Sequence, residues 1–306
     1  MIDGQWVTEG DIATVTNNGE YQREDSVLRD WIGNEPYPAA TNRYHLYIAY
    51  NCPWAHRTLI FRALKGLQST IGVSVVRPRR TDQGWVFDSD EYQDDLFSSK
   101  YLHEIYRRAV HDYTGRVTVP VLFDTQREKI VSNESSEIIR MLNSAFNEFT
   151  DCTTDYYPSS KHDQINYWND IIYRTVNNGV YRAGFAASQS AYDSAVRELF
   201  DSLELIENHL NNNEYLVGEE STEADWRLFP TLARFDVAYF GAFKCNIKRL
   251  TDFPNLWRYA RRLYHTPGIA ETVKFDLYKL GYYGRSEKRN PFGIVPKGPI
   301  IDWSLG

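Results

Sequence analysis

Cysteine is scarce in this chain. Its 306 residues hold three, Cys52, Cys152 and Cys245. They are odd in number, far apart and without zinc-ligand spacing, so neither a disulfide framework nor a cysteine-built metal site is expected. A reducing cytoplasm fits such usage. No apolar run approaches the roughly 18 residues of a membrane span, and no charged-then-apolar leader opens the chain. Excess positive charge is also missing. The net charge of −7 argues against a nucleic-acid or anionic-membrane surface. No internal repeat is visible. What remains, 42% hydrophobic and 25% charged residues, is the profile of a soluble globular protein with one large or two ordinary domains. Aromatic residues are abundant at 15%, with 22 tyrosines, which suits either large cores or aromatic-ligand pockets.

The stretch Asn51-Cys52-Pro53-Trp54-Ala55-His56-Arg57 organises the N-terminal half. Tyr44–Tyr50 before it is β-prone and apolar, and reads as a buried strand. Thr58–Lys65 after it carries helical spacing, with Gly66 as a stop. Pro53 suits a first helical turn, where its missing N–H has no partner to lose. Cys52 is therefore expected at a helix N-terminus, where the macrodipole and unpaired N–H groups favour a thiolate. The bland alternative is a small buried residue. Ala55 stands where a Cys-x-x-Cys pair would put its second thiol, so a resolving thiol has to come from a ligand. His56 and Arg57 add positive charge nearby, or simply face water.

Residues 1–42 lack sustained periodicity and read as an irregular extension pinned by Trp6, Tyr21, Trp31 and Tyr37, or equally as a partly mobile arm. After the 53–65 helix, Ile71–Val76 is a second strand, completing a βαβ unit with parallel strands. A long polar loop, 77–99, follows that strand's C-terminal end, where open α/β sheets bind ligands. Tyr101–His111 reads as a helix. Gly115–Asp124 and Lys129–Ser132 read as a hairpin, with Pro120 at the strand's first residue or in a tight turn. A cis Val119–Pro120 bond is compatible with this, cis being the minority form. A helix then opens near Asn133-Glu134-Ser135, its start able to hold a carboxylate or to be capped by Asn133 or Ser135. The order over 44–146 is β-α-β-α-β-β-α. With the cysteine after the first strand and the proline opening the third, this is the thioredoxin-like order.

Thr150–Ser160 reads as a linker. Beyond it Asp163–Asn177, Tyr192–Leu210, Ala224–Tyr239 and Asn255–His265 carry helical spacing, with Val196, Leu199, Leu203, Ile206 and Leu210 as one stripe. Thr222-Glu223-Ala224-Asp225 is a capping box with aspartate in the glutamate place. Asn177-Asn178-Gly179 ends or bends the first helix, so Tyr181 is expected at an edge, able to present its hydroxyl to a cleft between the domains. Periodicity is lost from about 276. The expected organisation is an extension over 1–42, a thioredoxin-like α/β domain over 43–149, an all-α domain over 158–275, and a C-terminal extension over 276–306.

A thioredoxin-like domain followed by an all-α domain resembles a glutathione transferase. Asn51–Arg57, Gly84-Trp85-Val86-Phe87, Val117–Leu122, Asn133-Glu134-Ser135, Asn178–Ala186, Arg234-Phe235-Asp236 and Asn290–Ile294 resemble the Xi class, the Omega-like glutathionyl-hydroquinone reductases. These motifs run in order from about residue 31 to the tail. The resemblance implies Cys52 as nucleophile, with Trp85, the backbone of Val119, Glu134 and Ser135 as glutathione contacts. It implies Tyr181 and Tyr283 as catalytic residues of the hydroquinone pocket, with the adjacent Tyr282 as the alternative tail tyrosine. It also implies a cytoplasmic homodimer that uses glutathione as co-substrate and needs no metal. Where family members often carry Ser-His after the tail tyrosine, this chain has Ser286-Glu287.

The chemistry suits a lone thiol. A thiolate can attack the sulfur of a glutathionyl thioether only if the leaving carbon is stabilised, a condition that a hydroquinone ring meets. Tyrosines near the ring can supply the proton. A second glutathione then resolves the Cys52–glutathione disulfide by thiol–disulfide exchange. The competing expectations are an Omega-like thioltransferase or dehydroascorbate reductase, and a non-catalytic binding or structural protein of the same fold.

Overall fold

The structure is a computed structural model that describes residues 1–8, 14–89, 91–287 and 289–305. Residues 9–13 of the segment expected to be irregular, Asp90 of the polar loop, and Lys288 and Gly306 of the tail lie outside the described residues. The chain divides into two compact units, one of Met1–Gly10 with Asp25–Asp155, the other of Asp11–Glu24 with Tyr156–Gly306. The first two strands, β1 (Thr14–Val15) and β2 (Tyr21–Gln22), pair antiparallel within the second unit. The sequence pattern did not foresee this hairpin, because two-residue strands are too short to show alternation.

The first unit is built on a four-stranded mixed sheet of β3 (Tyr44–Ile48), β4 (Gly72–Val75), β5 (Val121–Asp124) and β6 (Lys129–Ser132), in the order β4-β3-β5-β6. β3 runs parallel to β4 and antiparallel to β5, which runs antiparallel to β6. All five residues of β3 and all four of β5 are buried, as central strands require. Arg43 and Asp124, both buried, form an ion pair where β3 begins beside the end of β5. α1 (Pro53–Leu64) packs on α3 (Ser135–Ser144), and α2 (Leu102–Ala109) on β6. Gly66 ends α1 at φ +61° with its N–H on the Ala63 carbonyl, a left-handed close that favours glycine. The Val119–Pro120 bond is cis, and Pro120 immediately precedes β5.

The rest of the second unit is helical: α4 (His162–Ile171), α5 (Gly179–Gly184), α6 (Gln189–His209), α7 (Glu223–Arg234), the short α8 (Phe240–Ala242), α9 (Pro254–Tyr264) and α10 (Phe275–Tyr282). The expected stripe of α6 is buried from Val196 to Leu210. The capping box closes as read, the Thr222 N–H donating to Asp225 at 2.7 Å. Two expected long helices are instead interrupted by π turns, Ile172–Asn177 after α4 and Phe235–Tyr239 after α7. Pro230 lies inside α7, where its ring and missing N–H disturb the ladder just upstream of the second π turn. α10 was also unforeseen, since it is short and begins where the sequence periodicity fades. No described helix is long and apolar enough to cross a membrane.

Candidate functional site

Cys52 is the N-cap of α1, with Pro53 in the first turn behind it. Its sulfur lies 3.5 Å from the Ala55 N–H, which donates to it, and its thiol donates to the Val119 carbonyl at 3.4 Å. The helix start thus aims an orphan donor and the positive end of the macrodipole at the sulfur. The residue is half-buried, within reach of a partner without being lost in the core. The other thiols are differently placed. Cys245 is fully buried and desolvation pushes it up, which keeps it a protonated thiol. Cys152 is exposed in the segment after α3.

His56 and Arg57 do not face water; they are 1% and 2% exposed. Arg57 stacks over Trp54 at 4.6 Å and reaches the Ser135 hydroxyl at 3.4 Å, tying the thiol-bearing helix to the start of α3. That start is capped by Glu134, rather than by Asn133 or Ser135. The Glu134 carboxylate accepts the Ser136 N–H at 2.9 Å and the Ser136 hydroxyl at 2.7 Å. Burial pushes the Glu134 carboxyl up, but the Ser136 hydrogen bonds, the Arg57 charge and Ser26 outweigh it and hold it below the usual range. Cys52 and Val119 are thus in direct contact, and Ser135 and Glu134 follow through Arg57. Trp85 stands half-buried in the 77–101 loop, its carbonyl accepting the Leu102 N–H at 3.0 Å, with the Arg80 guanidinium 5.5 Å from its ring.

The second unit holds a dense aromatic cluster. Tyr181 of α5, Tyr239 of the second π turn, Phe243 after α8 and Tyr282 of α10 stack edge-to-face or offset, with ring centroids 5.1–6.1 Å apart. Tyr181 and Tyr282 share a hydrogen bond of 2.6 Å between hydroxyls, and Tyr282 and Tyr239 one of 3.0 Å. Burial raises Tyr239 and Tyr282 well above the ordinary phenol range, so both are held as neutral phenols. Arg23, bonded to Asn178 at 2.7 Å, lies 5.0 Å from the Tyr181 ring.

Of the two expectations for Asn177-Asn178-Gly179, an end or a bend, the helix is interrupted by a π turn and resumes, with Tyr181 in the short α5 that follows. It is Tyr282 that meets the Tyr181 hydroxyl. Tyr283 sits with its hydroxyl against Gly241, where a Cβ would come within 2.1 Å. Sequence reasoning left the tail tyrosine open between Tyr283 and the adjacent Tyr282, and did not single out Tyr239 or the Phe243 ring. The signal was the i, i+4 pair Tyr278/Tyr282, which shares one face of α10 while Tyr283 is turned about 100° away. Among the described residues no group of three His, Cys, Asp or Glu could hold a metal ion.

A mixed β-α-β-α-β-β-α unit with an N-capping cysteine, in one chain with a mainly helical unit, is the arrangement of a glutathione transferase. Residues 51–145 match the glutathione S-transferase N-terminal domain family and residues 189–262 the C-terminal domain family. The chain belongs to the glutathione transferases, and within them it groups with the glutathionyl-hydroquinone reductases of the Xi class. It is 46% identical to the glutathionyl-hydroquinone reductase YqjG of Escherichia coli, over 99% of this chain and 95% of that one. The glutathione-bound structure of YqjG superposes with a TM-score of 0.89 at 45% identity, covering 99% and 96% of the two chains. The glutathionyl-hydroquinone reductase PcpF of Sphingobium chlorophenolicum is 45% identical over 98% of this chain and 96% of its own. The Xi transferase of Phanerochaete chrysosporium superposes with a TM-score of 0.91 at 44% identity, covering 94% and 95%.

Proposed function

We propose that this protein reduces glutathionyl-hydroquinones to hydroquinones at the expense of glutathione. The Cys52 thiolate attacks the glutathionyl sulfur. A sulfur–sulfur bond forms, the carbon–sulfur bond breaks, and its electron pair stays on the ring carbon. A tyrosine hydroxyl protonates that carbon. A second glutathione thiolate attacks the glutathionyl sulfur of the Cys52 disulfide, releasing oxidised glutathione and the Cys52 thiolate. The proton of that second thiol balances the one given to the ring.

The binding roles follow the chemistry of glutathione. Glu134 accepts the γ-glutamyl ammonium, while Ser135 and the first N–H groups of α3 take the adjoining carboxylate. The Val119 backbone and Trp85 hold the rest of the peptide. Tyr181 and Tyr282 are assigned proton donation, with Tyr283 beside them as a pocket residue. A homodimer in the reducing cytoplasm belongs to the same reading.

An activated thiol alone would serve disulfide exchange equally well. The observation that carries the more specific reading is the hydrogen-bonded phenol pair Tyr181–Tyr282, a proton donor that disulfide exchange does not need. The test is to mix the protein with a glutathionylated hydroquinone and glutathione and to follow free hydroquinone. Formation of hydroquinone and oxidised glutathione one to one is expected. Turnover of mixed disulfides without release of hydroquinone would make the protein a thioltransferase.

A further inference from the structure

Arg234 opens the Arg234-Phe235-Asp236 motif, which the reaction as described leaves without a role. It is the last residue of α7, directly before the π turn that carries Tyr239. Its side chain is fully buried, at 0% exposure. One guanidinium nitrogen donates to the Pro230 carbonyl at 2.8 Å, and the guanidinium carbon lies 3.7 Å from the centre of the Tyr278 ring. Burial is the largest influence on its guanidinium and opposes the charge, whereas the phenols of Tyr278, Tyr239, Tyr282 and Tyr181 would each favour it once ionised. Three of these form the hydroxyl chain Tyr181–Tyr282–Tyr239.

A guanidinium taken fully out of water is costly unless its charge has work nearby. Packing alone would be met by an apolar side chain. The two π turns of this unit, one shortly before Tyr181 and the other ending on Tyr239, are the kind of helix irregularity that gathers at functional sites. A phenol that protonates carbon becomes a phenolate, and a buried phenolate needs a fixed positive charge close by.

We propose that Arg234 is a positioning residue for the proton-transfer half of the reaction. Its buried charge stabilises the phenolate left when Tyr181 or Tyr282 gives its proton to the ring, the negative charge being shared along the Tyr181–Tyr282–Tyr239 hydroxyl chain. The proton of the second glutathione thiol restores the phenol at the end of each turnover. This rests on the reductase reading above.

The experiment compares wild type, Arg234→Lys, Arg234→Met and Tyr239→Phe on two substrates. One is the glutathione conjugate of 1,4-naphthohydroquinone. The other is the mixed disulfide of glutathione and 2-mercaptoethanol, whose reduction needs no carbon protonation. For Arg234→Met, kcat on the thioether is expected to fall about 10- to 100-fold with KM nearly unchanged, as loss of electrostatic stabilisation does. The solvent deuterium isotope effect on that kcat should rise, because proton transfer has become limiting. Arg234→Lys keeps the charge and should recover much of the loss, and Tyr239→Phe should fall between. Mixed-disulfide turnover should stay within about twofold throughout, against losses of about 100-fold or more typical of a missing acid. Equal losses on both substrates, or a folded Arg234→Met with unchanged thioether kcat, would overturn the proposal. If Arg234→Met does not fold, Arg234→Lys and Tyr239→Phe decide it: no isotope effect and no selective loss in either overturns it. A wild type active on the mixed disulfide but inert toward the thioether overturns the reductase reading itself.

Discussion

The hydroxyls of Tyr181 and Tyr282 lie 2.6 Å apart, although 101 positions separate them in the chain. One phenol must donate to the other. Whichever hydroxyl faces a ligand therefore has its proton backed by a second one, and the donor need not wait for water.

Removing either hydroxyl while keeping its ring should then be felt selectively. Tyr181→Phe and Tyr282→Phe are each expected to lower turnover of a glutathionyl-hydroquinone by about 100-fold or more, as loss of a positioned acid does. Reduction of a small mixed disulfide should hardly change. Tyr283→Phe, whose hydroxyl lies against Gly241 and outside the Tyr181–Tyr282–Tyr239 hydroxyl chain, should lose less than either. Parallel steady-state assays on the two substrates decide. A larger loss in Tyr283→Phe than in Tyr282→Phe would return the donor role to Tyr283.

Cysteine selectivity follows from placement. After incubation with oxidised glutathione, intact-mass and peptide analysis should find the first adduct on Cys52, beside the Ala55 N–H. Cys245 should stay unmodified in the folded protein, because burial holds it as a thiol. Exposed Cys152 should react more slowly than Cys52. The Cys52 alkylation rate should reach half its maximum below the free thiol's pKa of roughly 8.5, as a helix N-terminus favours the thiolate. A midpoint at or above that value would remove the activated nucleophile from the mechanism.

Two glycines mark where the aromatic cluster tolerates no added carbon. A Cβ on Gly184 would meet the Phe243 ring at 2.2 Å, and one on Gly241 the Tyr283 hydroxyl at 2.1 Å. Phe243 is 4% exposed and stacks on Tyr181, Tyr239 and Tyr282, so it has little room to move. Gly184→Ala should cost about 1–3 kcal/mol, as overpacking does, and should lower thioether turnover more than mixed-disulfide turnover. Urea titration alongside the two assays measures both effects. An unchanged midpoint would mean that the cluster is looser than this packing implies.

Much of this architecture is legible in the sequence because its elements are long or strongly punctuated. β3, α1 and the cap at Cys52 follow from an apolar run, a proline and a terminal glycine at Gly66. The stripe of α6 and the Thr222–Asp225 box follow from spacing alone. Less legible is whatever tertiary context decides. Nothing local distinguishes Glu134 from its neighbours Asn133 and Ser135 as the cap of α3. Arg57 looks like a solvated arginine until Trp54 and Ser135 bury it. The π turns at 172–177 and 235–239 keep helical spacing in the sequence while shifting the backbone. α10 is too short to announce itself, which hid the Tyr278/Tyr282 face.

Glu134 carries two functions that mutation can separate. It caps α3 through Ser136, and in the proposed reading it accepts the ammonium of glutathione. Glu134→Ala removes both. Loss of the cap should cost about 0.5–2 kcal/mol of stability. Loss of a charge-assisted hydrogen bond should weaken glutathione binding by about tenfold or more. Cys52 alkylation should change little, because the Ala55 and Val119 contacts of the sulfur do not involve Glu134. The pH dependence has a definite sign. Glu134 sits below its ordinary carboxyl range in the folded protein. Its contribution to stability is therefore complete above the unfolded value of roughly 4.3, and it is lost as the pH falls through the folded value. The stability difference between wild type and Glu134→Ala should be constant near neutrality and shrink on acidification below that point. Urea midpoints at stepped pH, with calorimetry of glutathione binding at pH 7, test both halves. Unchanged glutathione affinity would leave Glu134 as a helix cap alone. A stability difference that widens toward acid pH would contradict the carboxylate's assignment as an ionised cap.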